Sequence, residues 1–276
     1  MTFDVAERSN YDGQPIALYE FSIGTHVWRY TSDEEKFTLP GSPDPLVFDP
    51  LAISDSGIVQ SGDGQKNDVS ITLPSNAPIA QLFTTTPPSE EIWVKIRRGH
   101  HGETIAPVIW VGTLSSSKQT GLRTTTLTNQ MLTATFNRNG LRLGWGRGCP
   151  HALYDRNCRV NKTLWAVAMT VLSFDGNSIV SPSLALFENN YFSGGFFEFI
   201  MPPGIVERRA IERHAGENWF TILGTTEGIS VGMSIMVYPG CNRTMNVCQN
   251  RFANIANYGG FPHLPAKSPF NGDPIF

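Results

Sequence analysis

The sequence predicts a mainly β protein in two parts, and three observations carry that expectation. Gly and Pro number 26 and 19 among 276 residues, so the chain is interrupted too often for long helices. Between the interruptions lie short runs rich in Thr, Val and Ile, residue types that suit a pleated, half-buried surface. All four cysteines fall after a glycine-rich break, Gly144-Trp-Gly-Arg-Gly148, which places a domain boundary near 140. Apolar residues make up 40% of the chain, enough for a packed interior.

In chain order, Ile16–Ile23 and His26–Tyr30 alternate about a Gly24-Thr25 turn and predict a hairpin. A Pro- and Asp-rich loop at 40–45 follows, then strands at Ile53–Val59 and Val69–Leu73 separated by Ser61-Gly-Asp-Gly64. Asn76–Phe83 predicts one short helix with Asn76 as its cap. Ile92–Ile96, Val108–Val111, Gly121–Thr128 and Met131–Phe136 have strand length and composition, so residues 1–140 predict an all-β domain. In 141–276 the expected strands are Thr163–Leu172, Phe196–Ile200, Arg208–Arg213, Trp219–Leu223 and Ser234–Tyr238, with a short helix over Met245–Ile255.

Charge excludes some functions. With 21 Lys+Arg against 24 Asp+Glu and a net charge of -3, the chain lacks the cation excess of a polyanion binder, so sequence-specific nucleic acid is not expected as a partner. The longest apolar runs, Leu164–Leu172 and Gly228–Val237, fall short of the roughly 20 residues of a membrane span. Met1–Asn10 has no apolar block of the kind a secretory signal needs, which points to folding in the cytoplasm.

Cys149 and Cys158 have eight residues between them, Cys241 and Cys248 have six, and 82 residues separate the pairs. Disulfides are disfavoured in a reducing cytoplasm, and the remaining alternatives are four separate core thiols or one four-thiolate metal site. The gaps exceed the two to four residues usual for zinc, although His151 could replace one ligand; an iron-sulfur cluster also takes four thiolates and tolerates wider gaps. Arg147, Arg156, Arg159 and Arg243 each lie within two residues of a cysteine and, with nearby backbone N–H groups, would offset thiolate charge. On these residues alone zinc and iron-sulfur stand level.

The segment from Tyr238-Pro-Gly-Cys241 through Cys248, Phe252, Asn254 and Asn257 to Tyr258-Gly-Gly-Phe-Pro262 resembles the signature of the baseplate hub and tail tip family of tailed phages, a family that extends to a bacterial gene transfer agent. Trp28–Ser32 and Tyr191–Gly195 resemble further family features. The resemblance implies a β-barrel-like N-terminal hub domain and a β-rich, loop-rich C-terminal domain holding a structural 4Fe-4S cluster on Cys149, Cys158, Cys241 and Cys248, with zinc as the less favoured occupant. It implies a non-enzymatic virion protein of a long-tailed phage, assembled in the host cytoplasm as a homotrimer between the distal tail protein ring and the central tip or receptor-attachment protein. Two positions depart from the family pattern: Asn242 stands where Asp is common, and Gly232-Met233 where Gly-Asp is frequent.

Other constellations have plainer explanations. His100-His101 reads as an exposed hairpin tip, Glu90-Glu91 as a solvated loop, and Glu207–His214 as a strand or an exposed face. Gly144–Gly148 lacks the Lys-Ser or Lys-Thr of a phosphate loop, and the six Trp read mostly as core. The rival readings are a cytosolic four-cysteine zinc or iron-sulfur enzyme and a host-contacting tail module.

Overall fold

Strands β1 (Pro15–Ile23) and β2 (His26–Thr31) pair antiparallel about a turn in which Gly24 takes a positive φ of 53°, as the sequence predicts. The computed structural model describes residues 7–9, 13–41, 43–59, 68–84, 86–133, 144–202 and 204–265. The chain divides into two compact units, Met1–Arg138 with Pro202–Glu207, and Asn139–Met201 with Arg208–Phe276. Each unit is built on one sheet and has its own core, so the mainly β class holds.

The first unit adds β3 (Phe37–Leu39), β4 (Leu46–Pro50), β5 (Ser54–Asp55), β6 (Val69–Pro74), β7 (Trp93–His100), β8 (Val108–Gln119) and β9 (Thr124–Met131). Among the described residues the order is β3-β4-β2-β1-β7-β8-β9-β6-β5. Although β5 stands at the far edge of that order, its Asp55 accepts hydrogen bonds from Tyr19 Oη on β1 and from Arg98 on β7, both at 2.7 Å. The sheet therefore rolls upon itself into a barrel-like form. Register shifts at Ile96/Arg97 and Leu114/Ser116 supply local curvature, since an extra residue bends and twists its strand. Tyr19, Phe21, Val69, Ile71, Leu73, Val94, Ile96 and Trp110 fill the interior, and Ile205 joins them. On the opposite face of β1, Ile16 and Leu18 pack against Phe37, Leu39 and Phe48, so this strand is covered on both sides.

The second unit contains β10 (Val167–Thr170), β11 (Ser173–Asp175), β12 (Ser178–Val180), β13 (Phe196–Met201), most of β14 (Ile205–His214, whose first three residues belong to the first unit), β15 (Trp219–Ile222) and β16 (Ser234–Tyr238), in the order β10-β16-β13-β14-β15-β12-β11. Phe197, Phe199, Phe220, Ile211, Ile235 and Val237 alternate inward to form its core, around Phe192. On the outward face of β13, Glu198 accepts from Lys162, Arg208 and Tyr238 at 2.6, 2.6 and 2.8 Å. Burial alone would raise the pKa of Glu198, but these three donors hold it below the usual carboxylate value.

Several expectations are corrected. The first helix, α1 (Pro78–Gln81), is capped by Ala77 and not Asn76, because Pro78 presets the helical φ at the first position and no side-chain cap is made. The expected strand Ile53–Val59 reduces to β5, Gly121 belongs to a turn, and Met131 ends β9, with 134–136 outside the described residues along with 61–64. Thr163–Leu172 begins as a 3-10 turn over Lys162–Trp165, started by Asn161 accepting from the Thr163 amide, before β10 forms. His100 is buried and its Nε2 lies 2.9 Å from Glu7, while His101 is exposed. Of the tryptophans, Trp110 is buried, but Trp93 and Trp145 are 43% and 79% exposed. Glu207–His214 lies within β14, with Glu207, Arg209, Ile211 and His214 buried.

Candidate metal centre

β16 ends at Tyr238, and Pro239-Gly240 turns the chain into Cys241. Glycine is required at 240 because a Cβ there would run into the Ser193 carbonyl and the Gly195 amide; Gly195 is equally close to the Tyr238 carbonyl. Two backbone segments thus press together and fix where Cys241 emerges. Cys248 is carried on α2 (Met245–Asn250), whose N-cap Thr244 accepts from the Val247 amide at 3.4 Å. Arg251, just past this helix, donates to the carbonyls of Tyr191 and Gly240 at 3.1 and 3.0 Å and to Glu188 at 3.0 Å, tying α2 to the same turn.

The first pair sits on a loop gathered around Asp155, whose carboxylate accepts from the amides of Ala152, Asn157 and Cys158. Among the described residues five non-glycine positions have positive φ, and Tyr154, Arg159, Arg243 and Ala253 are four of them. Such strained conformations persist where the surroundings over-determine them, and here they concentrate in the cysteine loops.

Cys149, Cys158, Cys241 and Cys248 line a single cavity of about 130 Å³, together with His151, Thr244 and Asn257. The Gly259 amide points to Cys149 Sγ at 3.4 Å, the Arg243 amide to Cys241 Sγ at 3.3 Å, and Asn254 Nδ2 to Cys158 Sγ at 3.8 Å. Burial raises the pKa of Cys241 and of Cys248, and the neighbouring cysteines raise both further; the Arg243 amide and the Arg251 guanidinium act the other way on Cys241. Four thiols that repel one another's charge, three of them facing N–H donors, make a chemically apt cradle for a positively charged inorganic group. Four thiolates are a donor set that serves either a zinc ion or an iron-sulfur cluster, and the four cysteines lining one cavity fit both.

The remaining signature residues each have a task. Asn254 Nδ2 donates to the Cys158 carbonyl at 2.6 Å, while its own carbonyl accepts from the Cys248 thiol at 3.3 Å, so it joins one cysteine of each pair. Asn257 braces it, donating to Asn254 Oδ1 at 2.6 Å. Tyr258 Oη donates to the carbonyls of Arg147 and Arg243. A Cβ at Gly259 would strike the His151 ring, and one at Gly260 would press on Arg147 and Gly148, which explains the paired glycines. Phe261 stacks on Trp145 with ring centroids 4.5 Å apart, and its amide donates to Gly146. Asn242 does what an aspartate would do, accepting from the Thr244 amide and hydroxyl at 3.1 and 2.7 Å.

The flanking arginines are corrected in part. Arg147, Arg156, Arg159 and Arg243 are exposed, and the guanidinium that lowers the Cys241 pKa belongs to Arg251, three residues beyond Cys248 and masked in the sequence by its place after a helix. The second helix ends at Asn250 and not at Ile255, because Ala253 turns left-handed with φ of 49° and presents Asn254 to the cysteines. His151 lines the cavity, with Nδ1 3.2 Å from the Asn257 carbonyl.

Residues 190–268 match a protein-family model described as "Phage conserved hypothetical protein BR0599". That stretch contains Cys241, Cys248 and the signature asparagines, but not the first cysteine pair. No curated protein matches the chain. Among solved structures, a chain of the "Virion of native gene transfer agent (GTA) particle" shares the fold with a TM-score of 0.82 at 16% identity, the alignment covering 99% of this chain and 96% of that one.

Proposed function

We propose that this chain is a structural protein of a phage-type virion, the baseplate hub at the tail tip, and that it works by assembly and not by catalysis. The observation that carries the reading is the likeness of fold along nearly the whole chain to a component of a gene transfer agent particle, which supports an architecture kept for assembly across very different sequences. In this reading the domains are 1–140 and 141–276, and three copies join the distal tail protein ring to the central tip or receptor-attachment protein. Assembly takes place in the bacterial cytoplasm, without sequence-specific nucleic acid. Among the described residues no helix is long and apolar enough to cross a membrane.

Cys149, Cys158, Cys241 and Cys248 would hold a 4Fe-4S cluster, zinc being the less favoured occupant. When bound, that group supplies a four-thiolate cross-link in a compartment where disulfides do not persist. The protein's own part is to gather the four sulfurs about one cavity, to direct the Gly259 and Arg243 amides at two of them, and to line the site with Phe252, on which Tyr154 and Trp165 pack edge-on. By analogy with a disulfide, tying Cys158 to Cys241 across 82 intervening residues would stabilise the fold by roughly 4.5 kcal/mol through the unfolded chain.

Mass spectrometry of purified particles from a producing culture tests the assembly reading. The chain should be present at about three copies per tail, and its deletion should leave particles without a complete tip. Intact infectious particles lacking the chain would contradict it.

A further inference from the structure

Charge is unevenly spread along this chain. Residues 144–174 and 228–265, which contain the four cysteines, hold six Lys+Arg and one carboxylate, Asp155. The rest of the chain holds fifteen Lys+Arg against twenty-three Asp+Glu. Asp155 is occupied by three backbone amides, Lys162 is paired with Glu198, and Arg251 is held by two carbonyls and Glu188. Arg147, Arg156, Arg159 and Arg243 are exposed, and no carboxylate among the described residues pairs with any of them.

These four arginines border one cavity in sequence: Tyr258 Oη bonds the carbonyls of both Arg147 and Arg243, the Cys149 amide donates to the Arg243 carbonyl at 2.9 Å, Arg243 and Cys158 line the cavity, and Arg156 and Arg159 lie beside Cys158 in the chain; Arg147 Nε also donates to the Leu264 carbonyl at 2.8 Å. Beside them Trp145, stacked on Phe261, is largely exposed. Backbone amides and Arg251 already serve the sulfurs, so the outer arginines are not needed for that task.

We propose that this arginine collar, with Trp145 at its edge, is a docking surface for a carboxylate-rich segment of another protein. Every unpaired cation of the collar is Arg, which grips carboxylates through two parallel N–H bonds and, with Trp, is over-represented at protein interfaces where Lys is depleted. A nucleic acid is the rival polyanion, and the test below separates the two. The assembly reading enters only as the place where such a partner would be met; the collar does not depend on whether the cavity holds a cluster.

The test is binding of the full-length protein to fluorescent poly-L-glutamate and, separately, to an oligo-dT of equal charge, at two salt concentrations. Poly-L-glutamate should bind more tightly than the oligonucleotide and weaken with salt. The triple variant Arg156→Gln, Arg159→Gln, Arg243→Gln should lose about tenfold in affinity with unchanged circular dichroism and metal content, whereas Lys118→Gln, Arg123→Gln, Arg213→Gln should lose less than about twofold. Equal losses in the two triple variants would reduce the effect to net charge and overturn the proposal. So would tighter binding of the oligonucleotide, no binding of either probe, or self-association that the collar substitutions abolish. None of these results bears on whether the chain is present in particles.

Discussion

Replacing Asn254 by alanine removes the side chain that holds Cys158, while its backbone carbonyl still accepts from the Cys248 thiol. The change deletes the 2.6 Å hydrogen bond to the Cys158 carbonyl, the weaker approach to Cys158 Sγ, and the acceptor of Asn257 Nδ2. At about 1 kcal/mol net for each of the two short bonds, with a further penalty where the half-buried Cys158 carbonyl is left unpaired, the loss is about 2 kcal/mol. For a unit of this size that is roughly 5–10 °C in melting temperature. Asn254→Asp keeps the acceptor for Asn257 but turns an anion toward the Cys158 carbonyl and sulfur, so it should cost more than alanine in spite of its shape. The assay is thermal unfolding followed by far-UV circular dichroism, with metal content measured on the same samples. A melting temperature and metal content for Asn254→Ala equal to those of the parent, or Asn254→Asp the milder of the two, would refute the reasoning.

Gly240→Ala should yield little soluble protein, a loss of about 3 kcal/mol or more, because the added Cβ meets backbone atoms of Ser193 and Gly195; Gly259→Ala meets a histidine ring that can turn aside, so solubility assays should rank it clearly milder. Ala253→Gly relieves a left-handed alanine and, after the entropy cost of glycine, should leave stability between unchanged and about 1 kcal/mol higher in urea unfolding; a clear loss would count against strain at this position. Burial lowers the pKa of His214, whose ring packs edge-on to Phe192, below that of the unfolded chain, near about 6.5. The unfolded state therefore binds more protons as pH falls, so stability is full above about pH 6.5 and declines below it. The melting temperature of the parent should drop between pH 7 and 5 more than that of His214→Leu, and parallel curves would exclude the assignment.

Local signals carried much of this fold. The β1–β2 hairpin, β6 and β16 announce themselves by alternation between turn residues, and the Gly24-Thr25 turn sets the register of the hairpin. The strands that escaped notice, β3, β4, β11 and β12, are three to five residues long, contain or adjoin Pro, Asp and Gly, and are held by partners that no short window reveals. The misplaced cap at Asn76 shows a proline overriding a good capping residue, and the overlong second helix shows a left-handed alanine that propensity cannot anticipate. In the candidate site the cysteine pairs and the Gly-Gly-Phe-Pro stretch were visible as residues. Their purpose was not: that Gly259 must be small because His151 lies on it, or that Asn254 spans from Cys158 to Cys248, depends on segments about 100 residues apart. Arg251 gives no signal in the sequence, because a lone arginine after a helix looks like a solvated side chain until Tyr191 and Gly240 are seen to accept from it.

The central claim is that four cysteines from two distant segments hold one inorganic cluster. Its most direct test is purification of the full chain without oxygen from a bacterial cytoplasm, followed by a visible absorption spectrum and analysis of iron, acid-labile sulfide and zinc. The expected result is a brown protein with about four irons and four sulfides per chain, both lost together with the colour in Cys248→Ser. A colourless, stably folded protein with one zinc, or with no metal at all, would contradict it.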